Sequence, residues 1–125
     1  MSPDPAIELA RIRAICLALP AADERLSHGS PGFFITKVKF FAYFWHNHHD
    51  DGITACHVKT SGREEQAMLV DLDPEFYFVP PYLGPSGWIG MRLDHPDTDW
   101  DRVADRIATS WELVAPRRLL EMGGR

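Results

Sequence analysis

Between His46 and Asp51 the chain sets His46, His48, His49, Asp50 and Asp51 almost side by side. Neutral imidazoles and carboxylates are donors that zinc and similar ions take. Neighbouring residues at a turn tip seldom converge on one tetrahedral centre, and Asp51-Gly52 is a hairpin signal. A solvated polar loop is the simpler reading, so no metal is assigned. Cys56 and His57 form a nucleophile–base pair by type alone, because neighbours on a strand point to opposite faces. No Gly-x-Ser-x-Gly elbow accompanies them. Asp94, Asp97, Asp99 and Asp101 precede an apolar helical pattern, where capping and the helix dipole explain acids more simply than a carboxylate pair does. Neither Gly29-Ser30-Pro31-Gly32 nor Gly84-Pro85-Ser86-Gly87 has the spacing of a phosphate-binding loop. The expectation is a protein without catalytic residues, without a cofactor and without enzyme activity.

Binding chemistry is better represented. Lys37, Lys39, Lys59 and Arg63 are interleaved with Phe33, Phe41, Tyr43 and Trp45. Cations beside rings suit a phosphate backbone whose bases stack. Arg92, Arg117 and Arg118 add cations further on. His28, Lys39, Lys59 and Trp88 sit beside turns or strand ends, where loops converge on small anionic ligands. The plainer reading of the same residues is an aromatic core fringed by solvated lysines. Charge is unevenly spread: residues 28–63 hold four cations against Asp50 and Asp51, whereas residues 64–79 carry Glu64, Glu65, Asp71, Asp73 and Glu75 and no cation.

These residues must be positioned by a small set of elements. Ser2-Pro3 and Asp4-Pro5 each offer an N-cap followed by proline, and Leu9, Ile12, Cys16 and Leu19 make a helical stripe that Pro20 ends. Phe33–Thr36 reads as a strand and Lys37-Val38 as a tight connection. Lys39–His46 is a second strand, with Phe40, Ala42 and Phe44 on one face and Phe41, Tyr43 and Trp45 on the other. Ile53–Lys59 completes a meander. Ser61 and Glu64 have capping-box spacing for a helix lined by Ala67, Met68 and Leu72. Phe76–Val79 is extended, and Pro80-Pro81 places it at a sheet margin. In Trp88–Leu93, residues Ile89, Met91 and Leu93 face one way and Trp88, Gly90 and Arg92 the other. Trp100, Val103, Ile107, Trp111 and Val114 mark the clearest helix, with one more turn from Arg117 to Met122.

The order α-β-β-β-α-β-β-α predicts an α+β, two-layer domain spanning residues 1–125, with helices on one face of an antiparallel sheet. A chain of 125 residues, 45% hydrophobic and 25% charged, is large enough for one core and too apolar for a disordered tail. Its net charge of −5 argues against a strongly basic nucleic-acid coat protein. Two cysteines without a Cys-x-x-Cys spacing indicate reduced, buried thiols. With no basic and apolar leader and no long apolar run, the expected setting is cytoplasmic, with no membrane partner.

Several segments together resemble the MmcQ/YjbR family. They are His28-Gly29-Ser30-Pro31, Lys39 opening Phe41-Ala42-Tyr43-Phe44, Lys59, Phe78-Val79-Pro80-Pro81-Tyr82-Leu83-Gly84, Gly87-Trp88-Ile89-Gly90, Asp99-Trp100 and Ala115-Pro116-Arg117-Arg118-Leu119. The likeness runs from the first helix to Leu119. Trp111 stands where tyrosine is usual and Arg117 where lysine is usual. The resemblance implies a small bacterial α+β domain, similar in layout to secretion chaperones and to frataxin-like folds. It also implies DNA binding, with no reaction or cofactor attached. The expected partner is therefore DNA, and the candidate residues for nucleic acid or for a small anionic ligand are His28, Lys37, Lys39, Lys59, Arg63, Trp88, Arg92, Arg117 and Arg118. A protein or peptide partner is the alternative, and the chain is expected as a monomer or weak homodimer.

Overall fold

The computed structural model describes residues 4–35, 39–47 and 52–121. They form α1 (Pro5–Leu17), β1 (Asp23–Ser27), β2 (Ser30–Ile35), β3 (Lys39–His46), β4 (Thr54–Val58), α2 (Arg63–Leu72), β5 (Tyr77–Phe78), β6 (Ile89–Arg92), α3 (Trp100–Val114) and α4 (Arg117–Glu121). The strands build one antiparallel sheet in the order β1-β2-β3-β4-β6-β5. Ser2-Pro3, the Thr36-Lys37-Val38 connection, His48, His49, Asp50, Asp51 and Met122 lie outside the described residues.

All four helices contribute to a single core. Ile12 and Cys16 from α1, Leu69 from α2, Val103, Ile107 and Trp111 from α3, and Leu119 from α4 pack with Phe33, Phe41, Phe44, Cys56, Val58, Ile89 and Met91 of the sheet. The helices therefore cover one face, as the two-layer α+β expectation has it. Among the described residues no helix is long and apolar enough to cross a membrane. Cys16 and Cys56 are free thiols in this core, and burial pushes both above the ordinary thiol range.

Local chemistry accounts for most element ends. The Asp4 carboxylate accepts the Ala6 N–H, with Pro5 at the first helical position. Asp99 accepts the Asp101 and Arg102 N–H groups at the start of α3. The start of α2 departs from the expected capping box. Gly62 is the N-cap, and Glu65, not Glu64, returns its carboxylate to the Ser61 N–H at 2.8 Å. The buried side of α2 is also rotated from the expected one. Gln66 and Leu69 face inward, while Met68 and Leu72 are exposed. The Gln66 amide explains the rotation, since it donates to the Gly84 and Trp88 carbonyls at 2.9 and 2.7 Å and is fully committed inside.

Two features of the sheet were not anticipated. The segment Asp23–Ser27 forms a further strand, β1, at the edge beside β2. Its one large apolar residue, Leu26, is 71% exposed, so it carries no alternating signal. In β3 the register against β2 shifts between Phe33 and Phe34, whose partners are Ala42 and Phe40. Phe41 is the extra residue of this β-bulge. The bulge sends Phe41 into the core with Phe44 and brings Phe40 onto the face of Tyr43, correcting the simple alternation along Lys39–His46.

Candidate nucleic-acid interface

The other face of the sheet is paved with aromatic rings, of which Phe34, Phe40, Tyr43 and Trp45 are half-buried and Trp88 is buried. Register places Arg25, Gly32, Tyr43, His57, Gly90 and Phe78 in one row across the six strands. Phe34 and Phe40 flank that row on one side along the strands, and Trp45 on the other. Ring follows ring. Phe34 meets Phe40 at 5.4 Å, Phe40 stacks on Tyr43 at 5.0 Å and Tyr43 meets Trp88 at 5.6 Å. On the other side Trp45 lies 4.6 Å from the His57 ring, which is held edge-on to Phe78 at 5.7 Å. Tyr82, in the loop after β5, reaches back to within 6.4 Å of Trp45 and is 73% exposed.

Two glycines in the row make room for these rings. A Cβ on Gly32 would approach the Phe40 ring to 2.6 Å, and one on Gly90 would run into the Phe78 ring. Each ring therefore lies over bare backbone, which covers a strand that would otherwise lose stability to glycine. Arg25 completes the face, with its guanidinium 5.4 Å from the Phe34 ring centre and 5.3 Å from that of Phe40. Burial pushes the Tyr43 phenol above its ordinary range, against the opposing pull of a Ser27 hydrogen bond and of Arg25. It is a neutral donor and acceptor at physiological pH.

Lys39 and Lys59 share one cleft at the rim of this face, with Phe40, Leu113 and Val114. Trp88 and the start of α2, with exposed Arg63, lie at the same end of the sheet, where Gly87 abuts Gly62 and Arg63. His28 does not join them. It occupies the β1–β2 turn, whereas Lys39 opposes Ile35 at the far end of β2, roughly 15–20 Å of strand away. Arg92 is likewise at the opposite end of β6, held by the Asp94 carboxylate at 2.9 and 3.0 Å. Arg117 and Arg118 are exposed on α4, and Arg117 pairs with Glu121 at 3.5 Å. Lys37 lies outside the described residues.

Sequence reasoning overlooked Arg25, Phe40, Phe78 and Tyr82 as members of the face. The period-two placement of Asp23, Arg25 and Ser27 is the signal for β1, and it is weak without apolar alternation. His57, weighed as a catalytic residue, is 1% exposed among the rings, while Cys56 points to the core. Of the histidine-rich turn, His46 is described, and its Nδ1 lies 2.7 Å from the Thr54 hydroxyl. Among the described residues no three metal-ligating side chains come together.

Comparison with known proteins agrees with this architecture. Among solved structures, the fold is similar to the crystal structure of Deinococcus radiodurans protein DR2400, which carries the domain DUF419. The TM-score is 0.72 at 16% identity, covering 94% of this chain and 94% of that one, so the likeness concerns the fold alone. No curated protein matches the sequence. The sequence model of the YjbR family matches residues 17–113, from the end of α1 to the last turn of α3, and the chain belongs to that family.

Proposed function

We propose that the protein is a non-enzymatic nucleic-acid-binding domain that receives a single strand on the half-buried rings of its aromatic sheet face. The observation that supports this reading is the row of half-buried rings, Phe34, Phe40, Tyr43 and Trp45, flanked by Arg25 and by the Lys39–Lys59 cleft. Stacked bases need flat aromatic area, and phosphates need cations at its margin. A duplex hides its bases, so an aromatic platform favours a strand over a double helix. DNA is the nucleic acid proposed, in the cytoplasm, where buried thiols such as Cys16 and Cys56 stay reduced.

Fluorescence anisotropy with a labelled strand of about twelve nucleotides, and with the matching duplex, tests the reading at about 50 mM salt. The strand is expected to bind more tightly than the duplex. Trp45→Ala and Phe40→Ala are each expected to cost about 1–3 kcal/mol of binding. Equal binding of strand and duplex, or unchanged affinity in both variants, would overturn it.

A peptide partner has one observation in its favour, the unpaired outer edge of β1 with exposed Leu26. That reading predicts that a proline at Leu26 abolishes capture of the partner and that the ring variants do not.

A further inference from the structure

We propose that the cleft between Lys39 and Lys59 is a binding site for a phosphate monoester carried on an aromatic or aliphatic body. The cleft is about 360 Å³, the lower end of the range for small-molecule sites, and is lined by Lys39, Phe40, Lys59, Leu113 and Val114. No carboxylate among these residues neutralises the two ammonium groups. Several arginines elsewhere are held by carboxylates: Arg13 by Glu24, Arg92 by Asp94, Arg102 by Asp73, Arg106 by Glu65 and Arg117 by Glu121. Neither lysine has such an ion pair among the described residues.

The framework holds the two lysines in place. The hydroxyl of fully buried Ser110 on α3 accepts the Lys59 N–H at 2.9 Å and donates to the Phe41 carbonyl at 2.6 Å. One side chain therefore ties the ends of β3 and β4 to α3, so the backbones that carry Lys39 and Lys59 are set before any ligand arrives.

Charge selects the ligand class. A phosphate monoester carries about −1.5 to −2 at neutral pH, whereas a diester or carboxylate carries one charge, so two lysines match the monoester best. The side chains of Leu113 and Val114 offer no hydrogen bond, and beside the Phe40 ring they favour an apolar or aromatic body over a bare ion. The site does not depend on strand binding. Its ligand has two sources, a free mononucleotide or the phosphorylated end of a strand lying on the ring face.

Titration of the intact protein, followed by amide chemical shifts, decides the matter. Thymidine 5′-monophosphate is expected to shift the amides around Lys39, Lys59 and Val114. Thymidine and inorganic phosphate are each expected to bind at least about tenfold more weakly. Lys39→Gln and Lys59→Gln are each expected to weaken the monophosphate about fivefold or more, whereas Arg11→Gln on α1 leaves it unchanged. Both lysine variants keep their neutral stem, and their amide spectra report that the fold persists. Oligonucleotides with a 5′-phosphate, a 3′-phosphate or neither separate the two sources. A gain from either phosphate points to a strand end, and equal binding of all three points to the free mononucleotide. The proposal falls if thymidine binds as well as its monophosphate, if neither lysine variant weakens binding, or if Arg11→Gln weakens it equally. It also falls if nothing shifts at about 10 mM monophosphate.

Discussion

Gly90 lacks a side chain where the Phe78 ring sits, and Gly32 is roofed in the same way by Phe40. A methyl group at either position must push a ring off the sheet, which overpacks a well-filled layer. Gly90→Ala is expected to lower stability by about 1–3 kcal/mol in urea unfolding, and Phe78→Leu in the same chain to recover part of that loss. Glu8 is a different kind of residue-scale tension. It is 3% exposed, and no described residue hydrogen-bonds to either of its carboxylate oxygens. Burial, then the nearby charges of Asp94 and Asp4, push its carboxyl from 4.5 up to about 7. Between those values the native chain holds a proton that the unfolded chain has lost, so stability falls as pH rises through that window. Glu8→Gln removes the titration. Urea midpoints are expected to show a gain of about 1–3 kcal/mol at pH 8 that vanishes near pH 4.

The β1–β2 hairpin turns through His28 and Gly29, both left-handed, at φ 52° and 82°. Two such residues between the Ser27–Ser30 pair make the type I′ loop that matches strand twist. His28 is thus accounted for by the turn it makes, away from Lys39 and Lys59. His28→Asn is expected to keep or slightly raise the melting temperature, and His28→Val to cost about 1 kcal/mol, since a β-branched residue resists that conformation. The junction of β3, β4 and α3 depends on one hydroxyl. Ser110→Ala leaves the Lys59 N–H and the Phe41 carbonyl without their partner, and is expected to cost about 2–4 kcal/mol by chemical unfolding.

Across the whole molecule, a net charge of −5 coexists with a ring face whose nearby cations are Arg25, Lys39 and Lys59. The acids of residues 64–79 belong to α2 and to the segment leading into β5. Strand binding therefore rests on few phosphate contacts and more on stacking. With about three cations engaged, the logarithm of affinity is expected to fall with the logarithm of salt at a slope near −2, far shallower than for a basic coat protein. Anisotropy titrations across a salt series measure it, and a slope steeper than about −4 would mean that cations outside this face dominate.

Local periodicity and capping chemistry were sufficient for α1, for α3 and for the inner side of β6, but not for the buried side of α2. Val103, Ile107 and Trp111 repeat at helical spacing, Asp4 and Asp99 cap as their types require, and Ile89, Met91 and Leu93 alternate inward. These are properties of a few consecutive residues, and a sequence displays them directly. The aromatic side of β3, the strand β1 and the meeting of Lys39 with Lys59 are not of that kind. A single extra residue at Phe41 reverses the parity of its neighbours, and only pairing with β2 reveals it. β1 is a strand because β2 offers it an edge, not because its own side chains ask for one. Whether a ring faces water or core, and which cations share a cleft, depends on contacts between residues far apart in the chain, and tertiary packing alone decides those.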